Sequence, residues 1–329
     1  MTNIAILGAG SIARAMAKTL RMMQAHGEGV ALYAVASRSI EKAAAFAAAE
    51  GFVHAYGSYE ALVCDPAVEL VYIATPHSHH AAHIRLCVEH GKAVLCEKAF
   101  TANEDQAREA LALAESRGVL VTEAIWPRYM PSRRMIDDLL AGGAIGRPVM
   151  LTANLGYDIA RVERLRNPAL AGGALLDVGV YPLNFASMAF GDDIVRVEST
   201  VEKFDTGVDL TENITLTYAD GRVAHIMATA ACRTDRRGVI YGTEGYLTVD
   251  NVNNPQVITL HPKAEDYRAA RVIPVPEQLT GYEYEVRACL EALQAGRIEC
   301  PDMPHAQTLR ILRLTDRLRH DWGVRYPFE

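Results

Sequence analysis

Two stretches hold the side chains best suited to moving protons: Cys96-Glu97-Lys98-Ala99 and Leu176-Asp177-Val178-Gly179-Val180-Tyr181. The Lys98 ammonium can donate a hydrogen bond to a hydroxyl or carbonyl, and its charge favours proton loss from a neighbouring acid. Asp177 and Tyr181 are four residues apart, so on a helix they share a face, with Asp177 placed to orient the pair. Tyr181 would then pass a proton to or from a hydroxyl, with Lys98 lowering its pKa. Taken singly, each has a plainer explanation: a surface lysine paired with Glu97, a capping aspartate, a core tyrosine.

A third stretch, Gly8-Ala9-Gly10-Ser11-Ile12-Ala13, reads G-x-G-x-x-A and follows the first apolar run. Gly8 allows a tight turn, Gly10 lets the backbone approach a pyrophosphate, and Ala13 permits close helix–sheet packing. Alone the motif is weak, but between a strand and a helix near the N-terminus it reads as a dinucleotide site. A site for NAD usually carries Asp or Glu at the end of the second strand. Here that place reads Ala36-Ser37-Arg38, with Lys42 a helical turn further on. Ser37, Arg38 and Lys42 would receive a 2′-phosphate, which favours NADP while leaving NAD possible. Ala74-Thr75-Pro76-His77-Ser78-His79-His80 follows another apolar run and is expected beside the nicotinamide half. His79 and His83 have i, i+4 spacing like a zinc pair, but nothing completes the set, so no metal is expected.

These residues need a scaffold, and the hydrophobic pattern supplies one. Apolar runs at 4–7, 30–36, 52–55, 70–74, 93–96 and 120–123 alternate with helical patterns at 12–24, 40–50, 78–90 and 103–117. Fully apolar strands alternating with helices imply a parallel sheet covered on both faces. From 147 onward the strands follow one another directly, at 147–157, 195–203, 213–218, 222–230, 238–242 and 246–249. Ala219-Asp220-Gly221 is a hairpin signal and Gly242–Gly245 reads as another. Helices at 132–141, 176–190, 282–295 and 305–320 would cover one face of this antiparallel sheet. If its other face is apolar, that face is a dimer interface. The expected class is α/β. Residues 1–124 form a Rossmann domain with a doubly wound parallel sheet. Residues 125–329 form an α+β domain with a large, mostly antiparallel open sheet.

The 329 residues suit two domains rather than one core. A net charge of −7 and no outstanding Lys/Arg run argue against a nucleic-acid partner. No run of about 18 apolar residues is evident, so no membrane helix is expected. The opening MTNIAILGAG lacks a positive n-region and reads as no signal peptide. Six scattered cysteines without a CxxC suit reduced thiols and a cytoplasmic protein.

Taken together, Gly8–Ala13, Thr75–His80, Glu97-Lys98 and Gly172–Tyr181 resemble the motif order of the Gfo/Idh/MocA oxidoreductase family. Ala36-Ser37-Arg38, Tyr56-Gly57-Ser58-Tyr59, Glu123-Ala124-Ile125-Trp126 and Gly173–Tyr181 look like its dimeric dihydrodiol dehydrogenase branch, which includes NADP-linked xylose dehydrogenases. The resemblance covers essentially the whole chain. It implies hydride transfer between nicotinamide and a secondary alcohol or carbonyl of a sugar, polyol or dihydrodiol, and dimerisation through the second sheet. It implies Lys98 as catalytic lysine, Asp177 as the motif aspartate and Tyr181, where many members have His, as proton donor. Glu97, Lys98, Trp126, Arg128 and His80 fall at positions near the cofactor. One departure stands out: the family's Glu-Lys-Pro is Glu97-Lys98-Ala99 here, so the lysine loop is expected to sit slightly differently. The rival reading is a non-catalytic NAD(P)-binding sensor of the same fold. The arginines of 157–166 and 233–237 hint at a polar or anionic substrate.

Overall fold

The computed structural model describes residues 1–263 and 269–329, and the chain splits into two compact units. Unit one comprises Met1–Trp126 and Gln278–Leu312; unit two comprises Pro127–Glu277 and Arg313–Glu329.

Unit one begins with β1 (Thr2–Leu7), α1 (Ser11–Ala25), β2 (Val30–Ala36), α2 (Ile40–Glu50), β3 (His54–Tyr56) and α3 (Tyr59–Val63). It continues through β4 (Leu70–Ile73), α4 (His77–Glu89), β5 (Ala93–Glu97), α5 (Glu104–Arg117) and β6 (Val121–Ala124). The six strands are all parallel, in the order β3-β2-β1-β4-β5-β6. This is the doubly wound order, with its crevice at the carboxyl ends. The register pairs Leu7 with both Ala36 and Ile73, Ile73 with Cys96, and Glu97 with Ala124. Gly8, Ser37, Ala74 and Lys98 therefore leave the sheet along one edge. The strands are buried on both faces, which is why they read as unbroken apolar runs: β4 and β5 have no exposed residue.

Unit two contains α6 (Pro131–Ala141), β7 (Pro148–Gly156), α7 (Glu163–Arg166), α8 (Val180–Phe190), β8 (Ile194–Lys203) and β9 (Asp209–Tyr218). Then come β10 (Val223–Thr229), β11 (Gly238–Gly242), β12 (Gly245–Val249), β13 (Val257–Pro262) and β14 (Arg271–Pro274). Their order is β14-β13-β12-β11-β7-β10-β9-β8, antiparallel except where β7 meets β10. Both foreseen turns are present: Tyr218 donates its N–H to Arg222 O at 2.9 Å, and Gly242 pairs with Gly245. One face buries Leu151, Ala153, Leu155, Ile214, Leu216, Ala224 and Ile226. The other presents Thr152, Asn154, Asn213, Thr215, His225 and Met227. That face is thus mostly polar, not apolar, because the alternation along β7, β9 and β10 sends threonine and asparagine outward.

The last two helices, α9 (Glu283–Gln294) and α10 (His305–Trp322), correct the expected division at residue 124. Residues 278–312 return to unit one, and contacts in three dimensions explain it. Val121 at the sheet's edge strand donates its N–H to Ile298 O at 3.0 Å, and His305 Nε2 lies 2.8 Å from Val121 O. Thr308 donates to Glu123, Arg287 pairs with Glu28 through two 2.7 Å contacts, and Leu312 joins the unit-one core. An open edge strand is thereby paired and covered. A second correction concerns membrane-spanning potential. The segment Pro168–Phe190 is long and apolar enough to cross a membrane, but 83% of its apolar window is buried inside the fold. It is the core helix of unit two.

Candidate active site

The cofactor edge is built by β1 and α1. Gly8 has φ +104°, and a Cβ there would lie 2.7 Å from Ala74 O, so no larger residue fits where this turn passes the end of β4. Gly10 is exposed, with nothing within 4 Å of a notional Cβ, and caps α1 without a side-chain hydrogen bond. Its own lack of a side chain leaves the first-turn amides of Ser11 and Ile12 open to an anion, and Ala13 is fully buried against the sheet. These features fit a dinucleotide pyrophosphate. At the end of β2, Ser37 is buried and its N–H donates to Tyr56 O at 3.2 Å, while Arg38 and Lys42 stand exposed.

After β4, Thr75 and Pro76 are half-buried and lead into α4. Thr75 Oγ1 meets His83 Nδ1 at 2.9 Å, and the His83 ring packs edge-on to Tyr59. Burial, with His79 and His80 nearby, pushes His83 down to about 4. No group of three or more His, Cys, Asp or Glu among the described residues could hold a metal ion. His77 is buried, its ring 5.7 Å from that of His80. His80, expected at the cofactor, is instead wholly buried. Its Nε2 lies 2.7 Å from Thr75 O and its Nδ1 2.9 Å from Ala99 O. Both polar atoms are committed to main-chain carbonyls, so the ring holds loops rather than ligand. Periodicity from the sequence gave no sign of this, because the partners are backbone atoms.

Lys98 follows β5 and is half-buried, not a surface lysine. Its N–H donates to Glu97 Oε2 at 3.2 Å, and Tyr72 OH donates to Glu97 Oε1. Glu97 is thus a buried carboxylate fastened to the neighbouring strand. Burial and the Glu97 charge drive the Tyr72 phenol well above its ordinary pKa, which keeps the proton it donates to Glu97. The Lys98–Ala99 peptide is cis. Phe100 N–H donates to Glu123, which also accepts from Thr308. Trp126 stacks on Tyr282, centroids 4.3 Å apart at 13°, and its buried Nε1–H has no hydrogen-bond partner among the described residues. A buried orphan donor of this kind fits a polar ligand group.

In unit two the motif glycines serve the chain itself. A Cβ on Gly172 would lie 2.6 Å from Leu165 O, and one on Gly173, at φ +117°, 2.3 Å from Asp209 Oδ1. Asp209 is buried there and accepts the Leu175 N–H at 2.5 Å. Tyr326 OH donates to Gly172 O at 2.8 Å. The expected helix over 176–190 opens as a π-helical turn, Leu175–Gly179, before α8. Such turns recur at functional sites. Asp177 is buried in this turn, and Tyr181 is half-buried one turn on. Asp177 accepts two hydrogen bonds from Arg164, at 3.0 and 3.1 Å, a bidentate pair that the sequence reading missed. The arginines of 157–166 each meet an acid of the chain: Arg164 is paired with Asp177, Arg166 with Asp205 and Arg161 with Asp158. Arg128, expected at the cofactor, is buried and donates to Asn184 at 2.5 Å and Ser187 at 3.0 Å, so it anchors the start of unit two to α8.

A doubly wound sheet with an open helix N-terminus at its carboxyl edge, and a lysine on that edge, fits a nicotinamide-dinucleotide-dependent oxidoreductase. Residues 2–125 match the profile described as an oxidoreductase family with an NAD-binding Rossmann fold, and residues 134–248 match the GFO/IDH/MocA C-terminal domain. Trans-1,2-dihydrobenzene-1,2-diol dehydrogenase of Bos taurus is 33% identical over 327 residues, covering 98% of this chain and 97% of its own. The Homo sapiens protein of that name is 33% identical over 300 residues, 89% of each chain. KijD10, a 3-ketoreductase from Actinomadura kijaniata solved with NADP and TDP-benzene, superimposes with a TM-score of 0.86. It is 26% identical and covers 97% of both chains. Levoglucosan dehydrogenase, solved with NADH and levoglucosan, has a TM-score of 0.87 over 98% of this chain and 97% of its own, at 18% identity, a likeness of fold. The chain belongs to the Gfo/Idh/MocA oxidoreductase family.

Proposed function

We propose that this protein is an NADP-preferring dehydrogenase acting on a secondary alcohol of a sugar, polyol or dihydrodiol. The observation that carries the reading is Lys98, half-buried at the carboxyl edge of the sheet, in the row of residues that also holds Gly8, Ser37 and Ala74. The bound nicotinamide supplies the hydride-accepting carbon. Gly8, Gly10 and the first turn of α1 hold the pyrophosphate, and Ser37, Arg38 and Lys42 favour a 2′-phosphate. Tyr181 takes the substrate's hydroxyl proton. Lys98 donates to the substrate oxygen and supplies positive charge that favours its deprotonated form. Asp177, held by Arg164, fixes the turn that carries Tyr181. The alcohols handled by trans-1,2-dihydrobenzene-1,2-diol dehydrogenase support this substrate class.

The experiment is steady-state reduction of NADP and NAD with a panel of aldoses, cyclic polyols and dihydrodiols. Turnover on some of them is expected, and Lys98→Met should lose roughly 10²- to 10⁴-fold in kcat. A fully active Lys98→Met enzyme refutes the lysine's role. We further propose, on the family resemblance, a homodimer through the open face of the second sheet; that face is mostly polar, but Tyr246 stacks there on His261 at 4.2 Å and Met227 is exposed. Sedimentation should give twice the 35.9 kDa chain mass, reduced to one chain by Met227→Glu. A dimer that survives this change uses another surface.

A further inference from the structure

His80 is a fully buried side chain whose two ring nitrogens reach the main chain of two different loops of the cofactor edge. Nε2 is 2.7 Å from Thr75 O, in the loop that leaves β4; Nδ1 is 2.9 Å from Ala99 O, in the loop that leaves β5. Ala99 is the residue after Lys98. We propose that His80 is a positioning residue for the reaction: a staple whose imidazole ties the lysine loop to the Thr75-Pro76 loop and so fixes where the Lys98 ammonium stands. This rests on the reading of Lys98 as the catalytic lysine.

Three features of the surroundings support a staple over a generic core residue. First, ring and loops belong to separate elements: His80 lies on α4, and the carbonyls follow β4 and β5. No regular backbone ladder joins those two loops beyond the Ile73–Cys96 pair, so a side chain must. Second, the lysine loop is fastened elsewhere on its far side, where Phe100 N–H donates to Glu123. Release at His80 would remove the tie between the Ala99 carbonyl and the loop after β4, and leave the Glu97 and Glu123 contacts to hold the lysine loop. Third, both partners are acceptors, so a residue without a hydrogen-bond donor cannot substitute. Burial lowers the pKa of the ring, while the carbonyls of Thr75, Ala99 and Phe100 raise it. A neutral ring donates to one loop at a time, and the imidazolium to both.

The test is a double-mutant cycle on the full chain with NADP and its best alcohol substrate. His80→Ala should lower kcat by about 100-fold, the scale of a displaced catalytic group, with the KM for NADP nearly unchanged. In the Lys98→Met background, His80→Ala should cost almost nothing further, because the group it positions is gone. His80→Asn, which retains one amide donor, should recover part of the loss and serves if His80→Ala does not fold. An equal fold-loss in both backgrounds overturns the proposal, showing only general loosening. A raised KM for NADP with kcat intact also overturns it, in favour of a direct cofactor contact. Full activity of Lys98→Met alone instead sinks the lysine's role, and the staple with it.

Discussion

Arg38 and Lys42 stand exposed at the end of β2, where an NAD enzyme would place an acid on the ribose. An exposed guanidinium beside Ser37 is a ready partner for a 2′-phosphate, whose dianion it can meet with two parallel hydrogen bonds. Loss of a charge-assisted hydrogen bond costs about 1.5–3 kcal/mol, or roughly 10- to 100-fold in affinity. Arg38→Ala should therefore raise the KM for NADP by about that factor and leave the KM for NAD nearly unchanged. Initial rates with both cofactors check it; an equal rise for both would remove Arg38 from the discrimination. The expectation for Arg38 comes from its fixed offset from a strand end, and the structure adds that its side chain is exposed. Arg164 was not legible in its true role: its partner Asp177 is 13 residues away, and only the loop closed by Gly172 and Gly173 brings them together. His80 was misread for the same reason, since motif position says nothing of which carbonyls a ring will meet.

At the scale of elements, strand positions in both sheets followed from hydrophobic pattern, because burial on two faces or one leaves different periods. Hairpins followed from Gly221 and Gly245, both at positive φ. What escaped were the elements with little pattern: the five-residue α3, the four-residue α7 and the strands β13 and β14, which bury only Ile258 between them. The assignment of α9 to the second unit failed on another ground. Its helical period was plain, but period does not say which core a helix joins; that depends on Glu28, Trp126 and β6, more than 150 residues earlier. The π-helical opening of the long apolar helix was likewise invisible. Asp209, held against Gly173 from a distant strand, takes the Leu175 N–H and so shapes where the helix begins.

At the scale of the molecule, each unit buries a carboxyl group whose protonated form the fold favours. Glu285 in unit one and Glu212 in unit two are both fully buried. Burial drives each well above the ordinary carboxylate pKa of 4.5, with Glu97 adding to the effect at Glu285 and Asp209 at Glu212. The unfolded chain releases these protons near the ordinary value, while the folded chain keeps them. Above that value the native state binds more protons than the unfolded one, so stability falls as pH rises. His83 works the other way: its folded pKa of about 4 lies below the ordinary 6.5, so its contribution increases as pH rises through that interval. Above about pH 7 the histidine is neutral in both states and no longer offsets the carboxyls. Glu212→Gln with Glu285→Gln keeps the shape of two protonated acids and removes their titration. The pair should unfold at a higher temperature than the parent at about pH 8, and the gain should shrink toward about pH 5. Thermal unfolding followed across that range decides it. A gain equal at both ends would mean that the two carboxyls are ionised in the fold, and that their burial is matched by charge partners rather than by protons.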